Sequence, residues 1–278
     1  EWLLHETDNW NDTWGHSPYE HDACLFGIRR LPDKLMSLDF YIHQWVNHVT
    51  GEIFDIKTIR SQLPKTCKLV VDATAGFGKA KLPSGLDNIA DALFMSGHKI
   101  GCPELSFMWL SDNLCEWLGA AKDIRNQWGL HHGSLSVASV MALTDAVEWA
   151  CKNGDRVDGH SVRLYVRMND MLDKARIEHR DVIEYVIERQ AYTASINAIR
   201  LNGINADALQ QFLASRGIYV GVGGSACSAA HDYRVLRAYG LTDDEASEVI
   251  RVSFGDETTS SDIEALVEGI KEYRRQFC

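Results

Sequence analysis

Cys227 is the residue of this chain whose setting most suggests chemistry. It lies in the stretch GGSACSAAH (223–231), directly after a strand-like run that includes Ile218 and Val222. A cysteine reacts as its thiolate, and a loop rich in glycine and serine lets the side chain move between partners. We therefore predict a mobile nucleophile at this position. The alternative is a small turn residue, because free cysteine often packs as a small apolar group.

Two more polar clusters come at the ends of short apolar runs. Asp72 ends the run KLVVD, and Ser96, His98 and Lys99 come at the end of the run ALFMS. Each run has the length of a buried parallel strand, and α/β sheets bind ligands at the carboxyl ends of such strands. A lysine and an aspartate that meet there would suit pyridoxal 5'-phosphate, since lysine bonds to its aldehyde and aspartate keeps its pyridine nitrogen protonated. Taken singly, Asp72 could cap a helix and Lys99 could be a solvated loop residue.

Helical patterns separate or follow these strands in the first half of the chain. Residues 134–152 and 170–189 both repeat apolar side chains at helical spacing, which predicts two helices. Strands that alternate with helices predict an α/β fold.

The pattern changes to a mixed one from about residue 153 onward. The predicted elements there are strands at 195–201, 217–222 and 249–254 and helices at 205–216 and near the C-terminus. This mixture predicts a smaller α+β unit, with a boundary near residue 150. We therefore predict a large cofactor-binding domain over 1–150 and a small domain over 151–278 that carries the Cys227 loop.

Two capping boxes are predicted near the C-terminus, at Thr242-x-x-Glu245 and at Ser261-x-x-Glu264. The second would begin the last helix. Its predicted inward residues are Ile263, Leu266, Val267, Ile270 and Tyr273.

Composition and charge exclude several classes of function. The 278 residues carry a net charge of −11, which argues against a nucleic-acid partner. No apolar run approaches the ~20 residues of a membrane span. The 7 cysteines are scattered without zinc-site spacing, which fits a reducing cytoplasm. No metal site is predicted, because the adjacent His131 and His132 would point in opposite directions on an extended segment.

Six motifs follow one another along the chain. They are YEHDACL (19–25), VNHVTGEIFDI (46–56), VDATAGFGK (71–79), DALFMSGHKIG (91–101), GSLSVASVMALTDAVE (133–148) and GGSACSAAHDYRVLRAYGLTDDEASEVIRVSFG (223–255). In this order they resemble class V pyridoxal-phosphate enzymes of the cysteine desulfurase kind. The resemblance implies a type I fold, which is a three-layer α/β sandwich with a mainly parallel sheet and a smaller α+β C-terminal domain.

The resemblance also implies roles for the first group of site residues. Lys99 would hold pyridoxal phosphate covalently, and Asp72 would pair with its pyridine nitrogen. Ser96 and His98 would contact the phosphate side of the cofactor. Ser134 matches a residue that reaches the phosphate of the neighbouring subunit's cofactor, which implies a homodimer.

The remaining roles concern the ring and the substrate. His21 matches a histidine that stacks over the pyridine ring, and His48 stands where an asparagine usually bonds the phenolic oxygen of the cofactor. Arg251 matches the arginine that binds the substrate carboxylate. Cys227 matches the nucleophile. The implied reaction converts L-cysteine to L-alanine and transfers sulfur as a persulfide on Cys227, from which a protein acceptor, for example in iron–sulfur cluster assembly, would take it.

The chain departs from the family's pattern in several respects, and the first concerns its start. Only twenty residues precede His21, so the segment that carries the family's phosphate-binding turn is shortened. The chain also lacks an initiator Met and a signal-peptide pattern, which suggests that it is processed or part of a longer protein. The spacing of 27 positions between His21 and His48 is also shorter than the family uses, and Ala75 stands where the family usually has a glutamine. These departures keep two alternatives open, a catalytically impaired binding or scaffold subunit and a selenocysteine or cystine lyase that would not need Cys227.

Overall fold

The computed structural model describes residues 14–21, 39–102, 105–117, 134–179, 183–186, 191–223 and 233–278. The chain forms two compact units. The first comprises Glu1–Val46 and Phe54–Gly154, and the second comprises Asn47–Ile53 and Asp155–Cys278. The sequence suggested a boundary at 150 and did not suggest that residues 47–53 group with the second unit.

The first unit contains a five-stranded sheet that is parallel except at one edge. Its strands, in spatial as well as chain order, are β1 (Trp14–His16), β2 (Phe40–Gln44), β3 (Lys68–Asp72), β4 (Ala92–Ser96) and the antiparallel β5 (Ser106–Leu110). The two buried strands predicted from KLVVD and ALFMS are confirmed residue for residue. Both are apolar along their length because a parallel strand inside a sheet is covered on both faces.

The register of β2, β3 and β4 aligns their side chains in rows across the sheet. Ile42, Val70 and Ala92 form one row and belong to a buried cluster, on which Leu114 packs from α2 (Asp112–Trp117). Helix α1 (Ile56–Gln62) begins at Asp55, whose carboxylate accepts a hydrogen bond from the amide of Lys57. The apolar rows therefore hold the strands in register, and the strand ends beyond them carry polar residues.

A single helix, α3 (Val137–His179), spans 43 residues. The prediction of two separate helices at 134–152 and 170–189 is therefore wrong. A buried stripe continues through the segment between them, at Val157, Leu164 and Met168, with the spacing of seven and four that keeps side chains on one helical face. This stripe supplies the apolar contacts that carry the helix past residue 152.

The second unit contains a four-stranded antiparallel sheet in the order β6-β7-β9-β8. Its strands are β6 (Ile183–Tyr185), β7 (Ile196–Leu201), β8 (Gly221–Val222) and β9 (Val249–Ser253), and its helices after α3 are α4 (Ala206–Ala214), α5 (Arg234–Ala238), α6 (Asp243–Ala246) and α7 (Ser260–Phe277). Residues 183–185 were expected to be helical but pair with β7, as their alternation of apolar and polar side chains allows. The strand expected over 217–222 is shortened to two residues.

The capping boxes near the C-terminus are confirmed in one case and shifted in the other. Thr242 and Glu245 form the predicted box at α6. At α7 the box is formed by Thr259 and Asp262, so the prediction of Ser261 and Glu264 is wrong, because the chain already enters the helix at Ser260. The predicted inward residues of α7 are all buried in the core of this unit. Across the described ranges of the chain, no helix is long and apolar enough to cross a membrane.

Candidate functional site

Four neighbouring strands bring most of the predicted cofactor residues to one edge of the first sheet. Strands β1 to β4 are parallel, so their carboxyl ends lie on the same edge. His21 follows β1, Gln44 ends β2, Asp72 ends β3 and Ser96 ends β4. The edge therefore carries an amide, a carboxylate and a hydroxyl at the ends of β2, β3 and β4, and His21 follows β1 in the chain.

Asp72 is a buried carboxylate in a fixed position. It is 7% exposed, and its Oδ1 accepts a hydrogen bond from the amide of Thr74 at 2.8 Å. Its backbone carbonyl accepts from the amide of Trp45 at 2.8 Å, which holds the end of β3 against the chain that leaves β2. The register places the side chains of Gln44, Asp72 and Phe94 in one row on one face of the sheet. The carboxylate is thus held at the edge by the sheet and by the turn that follows it.

The segment after β4 folds into a 3₁₀ turn at Gly97–Ile100. Ser96 Oγ and His98 Nδ1 lie 2.5 Å apart, so the hydroxyl and the imidazole are hydrogen-bonded. A Cβ at Gly97 would lie 2.0 Å from the carbonyl oxygen of Leu105, so only glycine fits against the returning chain. Burial, with the positive charges of Lys99 and Lys79, holds the pKa of His98 below its ordinary value. Lys99 itself is exposed.

His21 is half-buried and is tied to the edge through its neighbours. The amide of Ser17 donates to the carbonyl of Ile42 at 3.2 Å, and Glu20 Oε1 accepts from the amide of Gln44 at 2.8 Å. Gln44 Nε2 in turn donates to the carbonyl of Tyr19. Glu20 and Gln44 are almost completely buried, and sequence reasoning missed both. The signal was a polar residue at the end of the buried strand FYIHQ.

Two of the predicted residues take other positions or lie outside the description. Ser134 is exposed in the short segment before α3, within the first unit. Cys227 lies in 224–232, outside the described residues. Its predicted role stays a prediction.

His48 and Arg251 come together in the second unit. Arg251 Nη1 donates to the carbonyl of His48 at 3.1 Å. His48 lies in a turn that Asn47 closes, because Asn47 Oδ1 accepts from the amides of Val49 and Thr50 at 2.8 and 3.0 Å. Asn47 is fully buried. The turn is thus defined by a side chain that sequence reasoning did not single out.

The same turn is bound to its surroundings by backbone and side-chain contacts. Gly51 adopts a φ of 77°, and its carbonyl accepts from the amide of Thr193 at 2.8 Å. A Cβ at Gly51 would lie 2.3 Å from the carbonyl oxygen of Ile196. Thr50 Oγ1 donates to the hydroxyl of Tyr239 at 3.2 Å, and that hydroxyl donates to Glu52. His48 is therefore presented from a tightly packed turn.

The residues at the sheet edge fit pyridoxal phosphate by the chemistry of their donor set. The buried carboxylate of Asp72 suits a protonated pyridine nitrogen, and the exposed amine of Lys99 suits an aldehyde. The hydrogen-bonded pair of Ser96 and His98 has one remaining N–H or O–H, a donor of the kind that a phosphate accepts.

Comparison with protein families and curated proteins gives one consistent result. The family described as Aminotransferase class-V matches residues 38–266. A putative cysteine desulfurase NifS from Halalkalibacterium halodurans is 26% identical over 204 residues, which cover 72% of this chain and 52% of that protein. A cysteine desulfurase IscS from Shewanella pealeana is 30% identical over 234 residues, which cover 82% of this chain and 55% of that protein. The chain thus spans about half the length of the curated relatives it matches.

Solved structures share the fold. A NifS-like protein superposes with a TM-score of 0.79 at 18% identity, over 99% of this chain and 79% of the other. The apo cysteine desulfurase from Thermococcus onnurineus NA1 gives a TM-score of 0.74 at 14% identity, over 96% and 74%. The predicted type I fold is thereby confirmed, and the enzymes of the matched family depend on pyridoxal phosphate. On the family match and the shared fold, the chain belongs to the aminotransferase class-V family, among relatives that are cysteine desulfurases.

Proposed function

We propose that this chain forms the cofactor-anchoring and sulfur-accepting part of a pyridoxal-phosphate-dependent cysteine desulfurase. The reaction converts L-cysteine to L-alanine and transfers the sulfur as a persulfide on Cys227. The observation that carries the proposal is that Asp72 and the Ser96–Lys99 segment come at the carboxyl ends of two neighbouring parallel strands, in a chain of this family.

Each residue at the sheet edge has its own role in this proposal, either in binding the cofactor or in transferring a proton. When bound, pyridoxal phosphate draws electrons away from the α-carbon of the substrate. The buried carboxylate of Asp72 would hold a proton on the pyridine nitrogen, and the hydrogen-bonded pair of Ser96 and His98 would donate to the phosphate. Lys99 would bond to the aldehyde carbon and would take the α-proton of the substrate. His21 would cover one face of the ring.

Arg251 binds the carboxylate of the substrate in this proposal. A guanidinium forms two parallel hydrogen bonds to a carboxylate, and this geometry fixes direction as well as position. The hydrogen bond from Nη1 to the carbonyl of His48 restrains the plane of the guanidinium. His48 would donate to the phenolic oxygen of the cofactor in place of the asparagine that the resemblance expects.

Cys227 accepts the sulfur. Its thiolate attacks the sulfur of the substrate, an S–S bond forms and the C–S bond breaks. The electron pair of the broken bond stays with the carbon, which takes a proton and becomes the methyl group of L-alanine. The terminal sulfur of the persulfide then passes to a thiol of a protein acceptor.

The partners and location follow from the same proposal. Ser134 would reach the cofactor phosphate of a second copy, so the proposed working form is a homodimer. The described cysteines, namely Cys67, Cys102, Cys115, Cys151 and Cys278, are free thiols, which supports a reducing cytoplasm.

Sulfide release from L-cysteine under a thiol reductant tests the proposal. Cys227→Ser is expected to bind pyridoxal phosphate normally and to release sulfide at least about a hundredfold more slowly. Cys151→Ser, which changes an exposed cysteine of α3, is the matched control and should match the wild type. Sulfide release that survives in Cys227→Ser would contradict the sulfur-accepting role and favour a lyase. Failure of the wild type to bind the cofactor would favour a scaffold subunit.

A further inference from the structure

Gly221 and Arg251 are direct neighbours across the pair formed by β8 and β9. Their α-carbons are partners in the register of this antiparallel pair. Side chains at partner positions lie on the same face of the sheet and contact each other. Whatever stands at position 221 therefore decides how much room the side chain of Arg251 has.

The guanidinium of Arg251 occupies the space that a side chain at Gly221 would need. A Cβ at that position would lie 3.1 Å from both Nε and Nη2 of Arg251 and 3.3 Å from its Cζ. All three atoms belong to the guanidinium, so the charged group of Arg251, and not its aliphatic stem, lies closest to Gly221. These distances are shorter than ordinary van der Waals contact, so an added methyl group would require the guanidinium to shift by a few tenths of an ångström.

Backbone conformation does not account for the glycine. Gly223, two residues further on, has a φ of 69° and open space around its α-carbon, so its glycine is explained by the left-handed conformation. Gly221 is not among the described glycines with positive φ and lies in a strand, where glycine is otherwise disfavoured. A glycine inside a strand often marks a close approach of another group, and here that group is Arg251.

A second contact fixes the same guanidinium from another direction. Nη1 of Arg251 donates to the carbonyl of His48 at 3.1 Å, and the turn that carries His48 is closed by Asn47. We propose that Gly221 is a positioning residue, whose missing side chain lets the Arg251 guanidinium lie close against β8 and present a fixed edge to the substrate carboxylate. This inference rests on the carboxylate role proposed above for Arg251.

The orientation of Arg251 can be measured without any catalytic assay. In the full chain labelled with ¹⁵N-arginine, the Nε–Hε resonance of Arg251 is assigned by its loss in Arg251→Lys. Gly221→Ala and Gly221→Val are expected to move this resonance, the second more than the first. Gly255→Ala is the matched control, because it adds a Cβ where nothing lies within 4 Å, and it should leave the resonance in place.

Steady-state kinetics with L-cysteine and the cofactor-loaded protein give the second readout. The expected result is a KM raised about threefold in Gly221→Ala and about tenfold in Gly221→Val, with kcat within about twofold of the wild type, because a tilted guanidinium loses binding that ground state and transition state share. If circular dichroism shows that Gly221→Val does not fold, the comparison is made between Gly221→Ala and the wild type alone.

The outcomes separate this inference from the function on which it rests. An Arg251 resonance that stays in place in a folded Gly221 variant would overturn the positioning role. A moved resonance with an unchanged KM would overturn the link to carboxylate binding. If Arg251→Lys itself leaves KM unchanged, the proposed carboxylate role fails, and the position of the resonance still decides whether Gly221 orients Arg251.

Discussion

The edge of the first sheet and the turn at residues 47–52 in the second unit hold their polar residues by different means. At the sheet edge, apolar rows such as Ile42, Val70 and Ala92 set the register, and Asp72 projects beyond them at a strand end. In the turn, position depends on the side chain of Asn47 and on a glycine that no other residue replaces. We therefore expect substitution of Asp72 at the edge to change stability little, and substitution of Asn47 or Gly51 in the turn to lower it.

The largest effect is expected at Gly51. Its φ of 77° and the 2.3 Å distance from an added Cβ to the carbonyl of Ile196 combine strain with a backbone clash. Gly51→Ala should lower the free energy of unfolding by about 4 kcal/mol in urea denaturation. Gly203→Ala is the control, because Gly203 has a φ of 76° with open space, and it should cost about 1 kcal/mol. If Gly51→Ala and Gly203→Ala lose the same free energy of unfolding, the clash with the carbonyl of Ile196 contributes nothing to stability.

Asp72 gives the opposite kind of result, a loss of activity without loss of stability. Asp72→Asn keeps an oxygen that accepts from the amide of Thr74 and removes the negative charge. We expect sulfide release to fall by about 10²- to 10³-fold, as for the removal of a buried electrostatic partner of the reacting group. Urea denaturation should show a stability close to that of the wild type. Asp55→Asn, at the cap of α1, is the control and should retain activity.

Asn47 should behave as a residue of the turn even though it lies next to His48. Asn47→Ala removes the acceptor of two buried amides, so we expect a loss of about 2–3 kcal/mol in the free energy of unfolding. Asn205→Ala removes a cap at the exposed start of α4 and should cost about 1 kcal/mol. A cost at Asn47 that does not exceed the cost at Asn205 would argue against the rigid turn.

The smallest effect is a pH dependence in the first unit. His43 is buried, which lowers its pKa, and its Nδ1 lies 2.7 Å from the carbonyl of Gln44. The unfolded chain therefore binds a proton at His43 more readily than the folded chain does. The contribution of the neutral imidazole to the free energy of unfolding is fully present above the ordinary histidine pKa of about 6.5, and it is lost as the pH drops below that value. The free energy of unfolding, compared between wild type and His43→Gln at pH 7.5 and 5.5, should differ less at the lower pH. A difference that grows towards low pH would contradict the buried, neutral imidazole.

Sequence reasoning worked best where one local pattern determined the structure. The strands that end at Asp72 and Ser96 were predicted residue for residue, because a short apolar run with a polar end is typical of a buried parallel strand. The inward face of α7 followed from helical spacing in the same way.

The parts that sequence reasoning missed depend on contacts between distant segments. Gln44 is held by the backbone around Tyr19, and the turn of His48 is held by Arg251 and by Tyr239, far along the chain. Nothing in the local pattern of either segment indicates these partners. The helix α3 is a different case, since its stripe through Val157 and Leu164 was present in the sequence and was not followed past residue 152.

The central claim is that Lys99 is the amine that anchors pyridoxal phosphate beside the buried carboxylate of Asp72. The direct measurement is reduction of the cofactor-loaded chain with borohydride, followed by peptide mapping by mass spectrometry. The account predicts a cofactor label on the peptide that contains Lys99, no label in Lys99→Ala, and a retained label in Lys79→Ala, which removes another lysine whose charge acts on His98. A label that persists in Lys99→Ala, or that is distributed over several lysines of the wild type, would contradict it.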